Sequence, residues 1–150
     1  MKFVAIFALV LSFTAFAAPV PVAGKINKTV FKTVTGMAKI EGDMLMIRLF
    51  NQTRTDLCSN TEALPPLSMM IRFPNMAGVQ KVSNMNTPEK GLAFFHDMRK
   101  PTGLQRYFLA EKGTLEIKTV TDTEVTGSLV MAAAFFPSSV KGDFTVTICK

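Results

Sequence analysis

The chain has a single histidine, His96, and it stands two residues before Met98 in a sequence with ten methionines. Imidazole and thioether together suit Cu(I), which soft sulfur ligands select. His96 and Met98 are therefore a candidate metal pair, and Met69, Met70, Met76 and Met85 could add to it only where the fold gathers them. The competing account is that methionines fill irregular gaps in a core and that residues 96 to 103 (HDMRKPTG) are a polar turn. His96 is also followed by Asp97. A Ser-His-Asp triad, however, needs an acid that orients the imidazole from across a site, which sequence adjacency does not supply. There is no G-x-S-x-G elbow, and no phosphate loop, dinucleotide fingerprint or calcium loop. The eleven carboxylates are spread over turns and the wet parity of strands. No catalytic residue is assigned, no cofactor is expected, and the chain reads as a non-enzyme.

The two cysteines, Cys58 and Cys149, invite a different reading. They show no C-x-x-C spacing and have no histidine nearby to share a metal. An even count in an exported chain favours one disulfide. That bridge would close most of the chain and contribute roughly 4–5 kcal/mol by the loss of unfolded-state entropy.

A third group is apolar. Residues 129 to 136 (LVMAAAFF) form eight consecutive apolar positions, of which strand alternation buries only half. Either the segment is a central strand covered on both faces, or its outer half is exposed and recognises a partner. On the second reading Phe135 and Phe136, with Phe94 and Phe95 from another apolar run, are the partner-binding candidates.

These residues must be placed by strands. Residues 113 to 149 contain three alternating runs: Leu115 and Ile117; Val125, Gly127, Leu129 and Met131; Phe144, Val146 and Ile148. Period-two alternation describes a strand with one face on a core, and the turn residues between the runs make an antiparallel meander. Upstream, Val30, Val34, Ala38 and Ile40 share one parity. Glu41-Gly42-Asp43 is a hairpin turn signal, and the next strand puts Leu45, Ile47 and Leu49 on one face. Residues 51 to 68 read as a long loop carrying Cys58, with one helical turn at Thr61 to Leu64. Short apolar runs at 67–73, 79–82, 92–95 and 104–110 complete about eight or nine strands, with no amphipathic helix. The expected fold is all-β: an antiparallel β-sandwich or small Greek-key barrel over residues 29–150, preceded by an extended lead-in at 18–28.

The first 17 residues have the form of a signal peptide: Lys2, an apolar run from Phe3 to Phe13, and Ala15-Phe16-Ala17 as a cleavage site. Cleavage there leaves about 133 residues, enough for one core. Without tryptophan and with one tyrosine, the aromatic girdles of a membrane barrel find few of their usual residues. No membrane span is expected. The formal charge of +6 is dispersed, which excludes a nucleic-acid arm and leaves only unspecific attraction to anionic polymers.

The order GTLEIKTVTDTEVTGSLV followed by GDFTVTIC is similar to the C-terminal hairpins of small exported bacterial β-domains of unknown function. That resemblance implies a fold and a compartment, the periplasm or the exterior, and assigns no catalytic residue. The fragment His96-x-Met98 also resembles the H-x-M element of periplasmic copper chaperones with cupredoxin-like folds, although the second histidine of those proteins has no counterpart here. The sequence thus points to a non-enzymatic module of the bacterial envelope that acts by surface recognition of, or structural association with, a protein or polymer of that compartment, with Cu(I) binding by His96 and Met98 as the alternative.

Overall fold

A computed structural model of the chain describes residues 21–59, 64–82 and 91–150. The signal segment, the helical turn expected at Thr61 to Leu64 (save Leu64 itself) and Met85 lie outside the described residues. The fold is almost all β. The eleven strands are β1 (Ala23–Ile26), β2 (Thr29–Lys32), β3 (Thr35–Glu41), β4 (Met44–Phe50), β5 (Leu67–Pro74), β6 (Gly78–Lys81), β7 (Leu92–Asp97), β8 (Tyr107–Leu109), β9 (Lys112–Val120), β10 (Glu124–Ala133) and β11 (Ser138–Ile148). A 3-10 turn at Gly103–Gln105 precedes β8.

All eleven strands belong to one sheet. Its order is β6-β9-β10-β11-β3-β4-β5-β7-β8, with β1 added to β11 and β2 added to β1. The sheet curls into a half-barrel. A β-sandwich is therefore not confirmed, and the sheet is mixed: β11 runs parallel to β3 through Thr147–Met37 and Ile148–Ala38, while the other strand-to-strand pairings are antiparallel. The parallel pair arises because the free edge of β11 is shared. Its first half takes β1, at Ser139 to Lys141, and its last residues take β3.

The firmest strands follow their alternation. Leu45, Ile47 and Leu49 are buried, as are Leu115, Ile117, Val125, Leu129, Met131, Phe144 and Val146. They meet Phe31, Met69, Ile71, Phe73 and Phe95 in one core. Gly127 pairs with Phe144 across the sheet, and a Cβ there would come within 2.6 Å of the Phe144 ring; the glycine makes room for the aromatic. The β3–β4 turn centres on Gly42, at φ +60°, as a two-residue hairpin requires.

The lead-in and the first run depart from expectation. Residues 23–26 lie within the lead-in yet form β1, paired on both edges. Val30 and Val34 are 73% and 55% exposed, and Phe31 points inward in their place. The reason is a tight turn at Asn27–Lys28, both at positive φ, which pairs β2 back on β1 and ends it before β3. Parity therefore does not carry from Val30 to Ala38.

A second, small cluster lies on the far side of the sheet from the core. Met37, Phe50 and Cys149 are buried there beneath Leu57 and Leu64. The Cys58–Cys149 disulfide, with Cα atoms 5.3 Å apart and its ends 91 positions apart in sequence, fastens the β4–β5 connection over this cluster. Among the described residues, no helix is long and apolar enough to cross a membrane.

Candidate functional site

Strand β7 decides which candidates face outward. Its pairing sets Phe94 opposite Met70 and Leu109, and His96 opposite Ser68 and Tyr107. Successive side chains alternate, so Ala93, Phe95 and Asp97 face the core while Leu92, Phe94 and His96 face away. Phe95 is fully buried and stacks on Phe108 at 5.5 Å. It belongs to the core, and its grouping with the partner-binding residues is corrected on that ground.

Phe94, Phe135 and Phe136 are brought together. With Leu104, Tyr107 and Leu109 they line a groove of about 410 Å3 beside β8, the last strand of the sheet. The apolar run 129–136 divides between the two readings made of it. Leu129, Met131 and Ala133 point into the core from β10, and the strand then stops. Phe135 sits on the turn to β11 with 82% of its surface exposed.

This turn is braced from three sides. The Phe135 N–H donates to Glu111 Oε1 at 3.1 Å. The Phe136 ring packs against Phe108 at 5.0 Å and against Phe135 at 5.4 Å. The Pro137 carbonyl accepts from Lys28 N at 3.2 Å, and Ser138 Oγ accepts from Asn27 N at 2.8 Å. An exposed aromatic side chain on a held backbone loses little freedom on binding, which favours contact. Leu104, at 73% exposure, and Tyr107, at 41%, widen the same patch.

His96 and Met98 are differently placed. The Met98 sulfur already accepts from Arg106 Nε at 3.3 Å and from the Tyr107 hydroxyl at 3.5 Å. His96 is buried, its Nδ1 lies 3.4 Å from Ser68 Oγ, and its ring meets Tyr107 edge-on at 5.0 Å. Met69 is core, while Met76 is 59% exposed on the β5–β6 turn. Met70 shares the outer face with His96, opposite Phe94, and Tyr107 touches both the His96 ring and the Met98 sulfur. Ser68, His96 and Asp97 do not form a triad: Ser68 and His96 share one face, while Asp97 turns to the other and is held there by Arg99 and Asn27.

Burial first, and the charge of Arg48 second, lower the His96 pKa from 6.5 to about 4. The folded chain thus holds a neutral imidazole where the unfolded chain binds a proton. The stabilisation is complete above pH 6.5 and is lost as pH falls from 6.5 to about 4. It amounts to on the order of 3 kcal/mol. Urea unfolding midpoints are expected to drop over that interval and to level in His96→Gln. An unchanged slope in the variant would assign the effect to another group.

Sequence reasoning missed two residues that matter to this face. Arg48 falls on the outer parity of β4, and nothing in its sequence surroundings marks it as lacking an acid there. Asp97 was read as a turn acid although it is fully buried; the adjacent Arg99 was the one available signal. No family model, no curated protein and no solved structure matches this chain.

Proposed function

We propose that the protein is a non-enzymatic, exported β-module of the bacterial envelope that acts by surface recognition through the aromatic groove between β8 and the β10–β11 turn. The observation that carries this reading is Phe135, an 82% exposed phenylalanine on a backbone braced by Glu111, Phe108 and Asn27. Large exposed aromatics in a contiguous apolar patch mark interaction sites more often than they occur by chance. The disulfide supports an oxidising compartment, and the signal-like N-terminus supports export. The partner is then a protein or polymer of the envelope.

A photoreactive phenylalanine analogue at position 135, expressed in the native envelope, tests the reading. One discrete adduct is expected there and none with the analogue at exposed Thr123 on the far turn. Alanine at Phe135 is expected to leave stability within about 0.5 kcal/mol, as at other exposed positions. It should weaken capture by about thirtyfold, the loss that an aromatic anchor commonly causes. Phe136→Ala removes ring packing as well and is the less clean variant. Unchanged capture by a folded Phe135→Ala protein would end the proposal.

A further inference from the structure

Among the described residues, no acid stands opposite Arg48. Arg48 stands on β4 with its side chain on the face away from the core. Its direct cross-strand neighbours there are Met37 and Met70. Along the adjacent row of the same face lie Thr35, Phe50, Ser68 and His96. None of these is acidic. Arg48 Nε is buried and, among the described residues, has no hydrogen-bond partner. Its charge reaches His96, where it adds to the desolvation that keeps the imidazole neutral.

A cavity of about 290 Å3 opens beside this guanidinium. Met37, Phe50 and Leu57 give it apolar walls; Arg54 and Ser59 contribute from the β4–β5 connection. The Arg54 guanidinium carbon lies 4.9 Å above the Phe50 ring. No carboxylate lines the cavity among the described residues. Arg48 is half-buried, and its Nε is the atom shut from water without a partner among the described residues; a buried donor left without a hydrogen bond is costly, and an anion that enters would satisfy it. The planar fork of arginine matches a carboxylate in particular, and the apolar walls match an organic body.

We propose that this cavity is a binding site for a small organic carboxylate, its carboxyl group on Arg48 and its apolar body against Met37, Phe50 and Leu57. The site is separate from the aromatic groove and does not depend on what that groove contacts.

Benzoate, benzamide and sulfate, titrated at pH 7 into the disulfide-bonded protein and followed by heteronuclear NMR, provide the test. Benzoate is expected to shift the Met37, Arg48 and Leu57 signals saturably. Its Kd should be at least about tenfold below that of benzamide, which has the body without the charge. It should also lie below that of sulfate, which has the charge without the body. Arg48→Gln should raise the benzoate Kd by about tenfold or more, and bound benzoate should raise the His96 titration midpoint by offsetting Arg48. Should Arg48→Gln not fold, Arg48→Lys keeps the charge, loses the fork, and is expected to weaken benzoate by about fivefold. No saturable shift, equal binding of benzamide, or sulfate as tight as benzoate would overturn the proposal, and so would retention of full affinity in a folded Arg48 variant.

Discussion

Serine at both Cys58 and Cys149 is expected to lower the free energy of unfolding by about 4–5 kcal/mol, read from urea curves at fixed pH. The bridge joins residues 91 apart, so its removal releases a very long loop of the unfolded chain, and the entropic gain grows with the logarithm of that length. The native side gives little back. Cys149 directly follows β11 with its N–H on the Ala38 carbonyl, and Cys58 lies in an irregular connection. Within that connection Thr35 Oγ1 donates to the Gln52 carbonyl at 2.8 Å, and Asp56 Oδ1 accepts from Cys58 N and Ser59 N. Without the tie, Leu57 and Leu64 lose their purchase on Met37 and Phe50, and the amides of Leu57 and Ser59 are expected to exchange faster than those of β4. The carboxylate cavity loses a wall in the same step. A fall in stability under about 1 kcal/mol would mean that packing of the second cluster, not the covalent link, holds the connection in place.

How far the sequence could be read depends on whether a signal was local. Leu45, Ile47 and Leu49 alternate within one strand, and so do Val125, Leu129 and Met131; a core on one side is all that such a pattern needs. The cysteine pair was legible because no other chemistry suited two isolated thiols. What failed was long-range or depended on a turn. The parallel pairing of β11 with β3 joins the end of the chain to a strand near its beginning, and neither strand carries a mark of the other. The Asn27–Lys28 turn places a lysine at positive φ, outside the usual Asn-Gly signal, so β1 was read as lead-in, β2 was run together with β3, and Val30 was placed inward. Within the Phe94–Phe95 pair, parity required that one be core. Only the register of β7 against β5 says which. The groove itself assembles Phe94, Tyr107 and Phe135 from three strands and turns, a juxtaposition that no stretch of sequence contains.

Alanine at Asp97 is expected to cost about 3–4 kcal/mol, the loss that follows when one partner of a buried ion pair is removed. The Asp97 side chain is completely buried, whereas that of Arg99 is 42% exposed. The arginine can therefore turn to water, which sets the cost toward the lower end of that class. The carboxylate is fully used. Oδ1 accepts from Arg99 Nε at 2.8 Å and from Arg99 N at 3.3 Å. Oδ2 accepts from Arg99 Nη2 at 2.8 Å and from Asn27 Nδ2 at 3.1 Å. Arg99 in turn donates to Thr29 Oγ1 at 2.8 Å. One acid thus ties the end of β7 to the tip of the β1–β2 hairpin, and Asn27 passes the tie to Ser138 beside the aromatic turn. This is where the curled sheet is drawn together. The hydrogen bonds from Arg99, more than any other influence, hold the Asp97 carboxyl below its ordinary 3.8. A depressed folded value means the unfolded chain takes up the proton first. The contribution is therefore whole above about pH 3.8 and fades as pH falls through the folded value, below the interval in which His96 acts. Wild-type stability should accordingly decline in two stages, from pH 6.5 to about 4 and again at lower pH. Asp97→Asn keeps the shape, retains the first stage and flattens the second. Urea midpoints measured from pH 2 to 8 check both limbs. A second limb equally steep in Asp97→Asn would show that the acid lability belongs to other carboxylates, and a loss under about 1 kcal/mol in Asp97→Ala would show that the hairpin tip is held without the clamp.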